Sequence, residues 1–164
     1  MMPIAPQITN TPVHITSSSS GMTVSSVTPA VRGTNSIDVK YEPGLLSSAA
    51  TGTIDIDTNS AQVIYHSSAS GNFIFNFRGD SATSLNTTME LGHTITMTIV
   101  VNNGATPYYC TSVKIDGSTV SPKWNGGTAP TAGTASSHDI YSFSIIKTAT
   151  TPTYLVIANF GSYA

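Results

Sequence analysis

Asp55 and Asp57 are the residues whose spacing best suits chemistry. They alternate with Ile54 and Ile56 in Thr53-Ile54-Asp55-Ile56-Asp57, so on a strand both carboxylates project from one face, roughly 7 Å apart. With further oxygen donors such a pair could hold Ca²⁺, which takes six to eight oxygens. The alternative is a solvated acidic face that discourages edge-to-edge pairing. His14, His66, His93 and His138 lack metal-ligand spacing and have no cysteine close in sequence, so no metal is expected. His138 and Asp139 are adjacent and would point to opposite faces of a strand. Serines abound, so a Ser/His/Asp set can be drawn from residue types alone, and it carries no weight. Cys110 is the single cysteine. Between Tyr109 and Val113 it suits a small buried residue better than a nucleophile, and no internal disulfide can form. The expectation is no catalytic residue, no cofactor and no enzymatic activity.

Composition points the same way. Only 9% of the residues are charged, the net charge is −2, and there are six Lys and Arg. A phosphate backbone needs a basic stripe, so no nucleic-acid partner is expected. Serine and threonine, 48 of 164 residues, take the place of charge. A surface so poor in charge is easiest to explain when much of it is covered in an assembly, although a neutral Thr-rich domain alone in solution remains the alternative. The start, Met1-Met2-Pro3-Ile4-Ala5-Pro6, has neither a basic segment nor an apolar run, so no classical signal peptide is expected. No apolar run approaches the length of a membrane-spanning helix, and no membrane partner is expected.

Strands must position whatever this chain uses. Asn72 to Arg78 alternates and sets Phe73, Phe75 and Phe77 on one face, each contributing roughly 1.5–3 kcal/mol on burial. Further strands are expected at Thr53–Asp57, Ala61–His66, Thr94–Val101, Tyr108–Ile115, Thr119–Val120, Ile140–Lys147 and Thr153–Phe160. Asp116-Gly117 is a tight-hairpin signal. Ser81 to Leu91 is the one helical candidate, with Ser81 as cap and Leu85 and Met89 four apart. Seven or eight strands with these spacings predict an all-β fold, an antiparallel two-sheet sandwich of jelly-roll type.

Residues 1–43 read differently, as an extended N-terminal arm ahead of a sandwich domain over residues 44–164. From Met1 to Val31 there is no charged residue, and prolines at positions 3, 6, 12 and 29 oppose a helix. Ile4, Ile8, Val13, Ile15, Val24 and Val27 are spaced through the segment, more β-branched apolar residues than a disordered tail usually carries. They are candidate contacts to a neighbouring subunit or a sheet edge, with a floppy tail as the alternative. Trp124, the only tryptophan, lies in Lys123-Trp124-Asn125-Gly126-Gly127-Thr128-Ala129-Pro130. It has three readings: core plug, subunit interface, or stacking platform for a sugar.

That loop, with Gly79-Asp80-Ser81, Val101-Asn102-Asn103-Gly104, Tyr108-Tyr109, Ile115-Asp116-Gly117 and Asp139-Ile140-Tyr141-Ser142-Phe143-Ser144-Ile145-Ile146-Lys147-Thr148, resembles a β-rich module of tailed phages. The module occurs in virion structural proteins and tail fibres, notably of marine cyanophages. The resemblance runs from about Gly52 to the C-terminus and supplies no catalytic residues. It implies a virion component made in the host cytoplasm, and a homo-oligomer, trimers being common among such modules. The expected role is capsid decoration or cement on the head surface, bound to the major capsid protein or another virion protein. The alternative is a tail or fibre-tip protein that recognises a host glycan through Tyr108, Tyr109 and Trp124.

Overall fold

The computed structural model describes the backbone of Val13–Ser18 and Gly21–Ser26, together with residues 44–151 and 153–164. Contacts divide the chain into two units, Met1–Lys40 and Tyr41–Ala164.

In the first unit, β1 (Val13–Ser18) and β2 (Gly21–Ser26) pair antiparallel, with Ile15 opposite Val24 and Val13 opposite Ser26. The expected extended arm therefore contains a hairpin. Two β-branched runs separated by two residues pair their backbone groups with each other instead of leaving them for a neighbour. Ile4, Ile8 and Val27 lie outside the described residues.

The second unit contains β3 (Gly44–Ser47), β4 (Ala50–Asp57), β5 (Val63–His66), β6 (Ala69–Arg78), β7 (Thr94–Asn102) and β8 (Cys110–Ile115). After these come β9 (Ser118–Val120), β10 (Lys123–Trp124), β11 (His138–Ala149) and β12 (Thr153–Tyr163). A four-residue helix, α1 (Leu85–Thr88), and a 3-10 turn over Asn125–Gly127 complete it. Two mixed sheets result: six strands in the order β10-β12-β11-β7-β5-β3, and four in the order β4-β6-β8-β9.

The expected antiparallel pairing does not hold. β3–β5, β5–β7, β4–β6, β6–β8 and β10–β12 are parallel neighbours, while β8–β9, β7–β11 and β11–β12 are antiparallel. Strand alternation explains the difference. From β3 to β8 successive strands go to opposite sheets, so the strand that returns to a given sheet has reversed twice and runs parallel to its neighbour. A strand of the opposite sheet thus does the work that a helix does in a βαβ crossover. Periodicity shows which face of a strand is buried, but it says nothing of which strand lies beside it.

The two sheets share one core. Phe73, Phe75 and Phe77 of β6 are fully buried and meet β11 across it: Phe75 lies 5.4 Å from Tyr141, and Phe77 lies 5.1 Å from Phe143, both edge-on. Such offset contacts are the favoured aromatic geometry. Met97, Ile99 and Val101 of β7 and Ile145 of β11 complete the six-stranded side, as their alternation requires.

The helical segment is shorter than expected, and Ser84 rather than Ser81 caps it, accepting from the Thr87 amide at 3.1 Å. Asp80 takes the Ala82 amide at 2.8 Å and holds residues 80–82 as a turn, which delays the helix. Leu85 and Met89 are buried, as their spacing requires. At Asp116-Gly117 both residues adopt positive φ, 49° and 81°, the two-residue hairpin geometry that this pair favours.

Candidate functional site

Several titratable groups are held by structural partners. Asp55 and Asp57 do share the outer face of β4, but the parallel register with β6 sets Arg78 opposite Asp57 and Asn76 opposite Asp55. Arg78 donates to Asp57 at 2.6 Å and to Asp55 at 2.7 Å, while Asn76 donates to Asp55 at 2.7 Å. The hydrogen bond to Asp57 holds the guanidinium pKa above its ordinary value. The two acids thus face a cation of the chain's own, neither collecting oxygen donors for Ca²⁺ nor standing free in solvent. Among the described residues no three His, Cys, Asp or Glu are grouped as metal ligands.

Asp139, fully buried in β11, is the centre of a polar network. It accepts from Asn103 Nδ2 at 2.7 Å, the Thr134 amide at 3.1 Å, Ser137 Oγ at 3.0 Å and Ser162 Oγ at 2.7 Å. Asn103 also exchanges hydrogen bonds with the Tyr108 backbone, donating to its carbonyl at 3.2 Å and accepting from its amide at 3.1 Å. One carboxylate therefore ties two loops to the end of β12. Lys147, also buried, donates to the carbonyls of Asn86 and Met89 at 2.8 and 2.7 Å, closing the C-terminal end of α1. Asp116 closes the other end by accepting from the Leu85 and Asn86 amides at 2.7 and 3.0 Å.

Burial pushes the Cys110 thiol up to about 11. At neutral pH it is a protonated thiol, and nucleophilic chemistry needs the thiolate. Tyr141 is pushed up by burial as well, and its hydroxyl accepts the Cys110 amide at 3.2 Å. His66 is buried, with Nδ1 2.9 Å from the Ser48 carbonyl and Nε2 without a partner among the described residues. His138 is exposed and stacks on Tyr65, centroids 6.1 Å apart.

Trp124 is half-buried. Its backbone pairs with Ala158, an inward residue of β12, so the ring turns toward the core and meets Phe143 edge-on at 5.9 Å. Gly126 and Gly127, at φ 73° and 79°, then turn the chain away, a conformation other residues resist. On the outer side a groove of about 580 Å³ opens beside Trp124, lined among others by Lys123, Ser144, Ile157 and Asn159. Tyr108 and Tyr109 do not line it, so the three aromatics expected to form a glycan platform are not brought together there. Tyr108 instead packs against the core, and the Tyr109 amide donates to Asn72 at 3.3 Å. Val13, Ile15 and Val24 lie in the β1–β2 hairpin of the other unit.

One feature escaped residue-by-residue reading. The outer faces of the two sheets differ in charge. On the four-stranded sheet Asp55, Asp57, Arg78 and Lys114 alternate with buried residues and so face outward. On the six-stranded sheet the outward phase reads Leu155, Ile157, Asn159 on β12, Ile140, Ser142, Ser144, Ile146 on β11, Thr94, Thr96, Thr98, Val100 on β7, Val63 and Tyr65 on β5, and Leu46 on β3. Lys123 on the edge strand β10 is the one lysine, arginine or carboxylate on that face among the described residues, because Asp139 and Lys147 point inward, and the exposed His138 of β11 lies on it as well. The signal was available: counting charges by strand phase, rather than over the whole chain, separates the two faces.

No family model, no curated protein and no solved structure matches the chain.

Proposed function

We infer that the protein is a structural component of a tailed-phage virion that acts by binding and not by catalysis. The uncharged outer face of the six-stranded sheet carries this reading. Ordinary soluble proteins have roughly 25% charged residues, and a whole sheet face with a single charge at its edge is poorly suited to permanent exposure. Leu46, Val63, Leu155 and Ile157 stand on it 81%, 38%, 38% and 48% exposed. Buried Asp139 and Lys147 support a non-catalytic role, since each is consumed in holding loops or a helix end. The resemblance to phage virion modules adds the setting. Within that setting we propose capsid decoration or cement on the head surface, bound to the major capsid protein or another virion protein. The two facing sheets are read as a β-sandwich. A strict jelly roll needs antiparallel neighbours, so only the sandwich is carried forward.

Gold-labelled electron microscopy of purified particles tests the location: label is expected over the head, and label confined to the tail would overturn decoration. In the same assay a chain lacking Met1–Lys40 is expected to fold and to lose particle binding. Saturation of particles by the truncated chain would show that the anchor lies in the β domain.

Trp124→Ala separates packing from recognition. Losing an edge-on contact with Phe143 and half an indole's burial is expected to cost about 2–3 kcal/mol in chemical denaturation. Unchanged stability combined with lost retention on host glycans would instead favour the fibre-tip alternative.

A further inference from the structure

We propose that the outer face of the six-stranded sheet is a self-association surface, on which a second copy of this chain packs sheet to sheet as a twofold dimer. This deepens the reading of that face as a covered surface by naming the partner.

Three features select a second copy. The first is charge. A face bearing Lys123 as its one lysine, arginine or carboxylate, at its edge, offers nothing for an acidic or basic partner to complement, whereas two such neutral faces meet without burying an unpaired charge. The second is area. β12, β11, β7, β5 and β3 are neighbours at about 4.8 Å spacing, and their shared registers run eleven, nine, four and four residue pairs, about seven on average at 3.3 Å each, so the face is equivalent in area to roughly 24 by 23 Å. Two copies would then remove on the order of 1,000 Å² from water, the size at which a specific interface becomes credible. The third is shape. Leu46 protrudes at the β3 edge, 81% exposed, and the groove beside Ile157 and Lys123 opens at the opposite, β10–β12 edge. A twofold axis parallel to the strands brings each edge of one copy over the opposite edge of the other, and the registers set Leu46 level with Gly161, two residues beyond Asn159 at the end of the other copy's groove. Aligned packing of two sheets about 10 Å apart is an ordinary geometry for such faces.

Sedimentation equilibrium on the purified full chain tests this. Wild type is expected at twice the 17.1 kDa chain mass. Ile157→Lys places a charge in the groove at the β12 edge of the contact, on an already exposed side chain, and is expected to halve the sedimenting mass with circular dichroism unchanged. Ser144→Glu, on the paired strand, serves if Ile157→Lys fails to fold, and is expected to do the same. Thr53→Lys, on the other sheet, is expected to remain dimeric. A monomeric or trimeric wild type, a dimer that survives the Ile157 and Ser144 substitutions, or dissociation by Thr53→Lys would each overturn the proposal. The particle reading fails separately: a monomer that still decorates particles overturns the second copy alone, while a dimer never found on particles overturns the virion assignment alone.

Discussion

Asp139→Ala is expected to lower stability by about 3 kcal/mol, moving the urea midpoint down by at least about 1 M for a domain of ordinary denaturant sensitivity. The reasoning counts donors. Four groups converge on the carboxylate, and they do not suffer equally from its loss. Ser137 Oγ also donates to the Thr134 carbonyl at 2.8 Å, and Ser162 Oγ lies 3.0 Å from Ser137 Oγ, so both hydroxyls have somewhere to turn. Asn103 Nδ2 keeps the Tyr108 carbonyl. The Thr134 amide keeps no partner among the described residues, and because Thr134 itself is exposed the loss falls at the low end of the range for a stranded donor, about 1–3 kcal/mol. Losing the charge-assisted bonds adds a comparable amount. Asp139→Asn should recover part of the loss, because the side-chain oxygen can serve one pair of donors while its NH₂ opposes the other. The loops at 103–109 and 133–137 should also become cleavable by protease before the sheets do. A wild-type midpoint for Asp139→Ala would mean that the sheets alone hold those loops.

The sequence made strand phase legible and left strand partnership dark. Phe73, Phe75 and Phe77, Met97, Ile99 and Val101, and Tyr141, Phe143 and Ile145 all turn inward as a period of two demands. Alternation is enforced locally by the pleat, so one strand is enough to reveal it. Whether β5 lies beside β7 or β4 depends on the path of the chain between sheets, which no single strand encodes. β3 and β10 were missed for a related reason: Gly44–Ser47 and Lys123–Trp124 are too short to show a period, and their pairing with β5 and β12 makes them strands. Asp55 and Asp57 were rightly placed on one face, yet their role turned on Arg78, which reaches them only through the β4–β6 register. Asp139 and Lys147 carried a usable warning. Both occupy inward phase in an otherwise apolar alternation, where an ionised group survives only with partners. The candidate interaction surface was hidden for the opposite reason, since its residues are individually plain and only their shared lack of charge distinguishes them.

Phe75→Ala is expected to have the largest effect of any single core truncation, about 4 kcal/mol. Its ring is fully buried and touches aromatics in both sheets: Phe73 at 5.1 Å and Phe77 at 6.5 Å along its own strand, Tyr141 at 5.4 Å and Phe143 at 5.9 Å across the core. Neighbours on a rigid ladder cannot collapse into the space, because each is fixed by its own strand's backbone bonds, so the cavity term is added nearly in full to the transfer term. A domain of this size commonly has about 5–15 kcal/mol in total, so the variant would stand near the limit of folding at physiological temperature. Phe75→Leu keeps much of the volume and should lose less than half as much. The comparison with Asp139→Ala is diagnostic. Phe75 links the two sheets, and its loss should lower protection of β6 and β11 together in hydrogen exchange. Asp139 links loops to one end of one sheet, and its loss should leave β6 protected. If both variants exposed the same amides in the same order, the core and the polar network would be one cooperative unit, and the loops could no longer be treated as fittings on an independently stable pair of sheets.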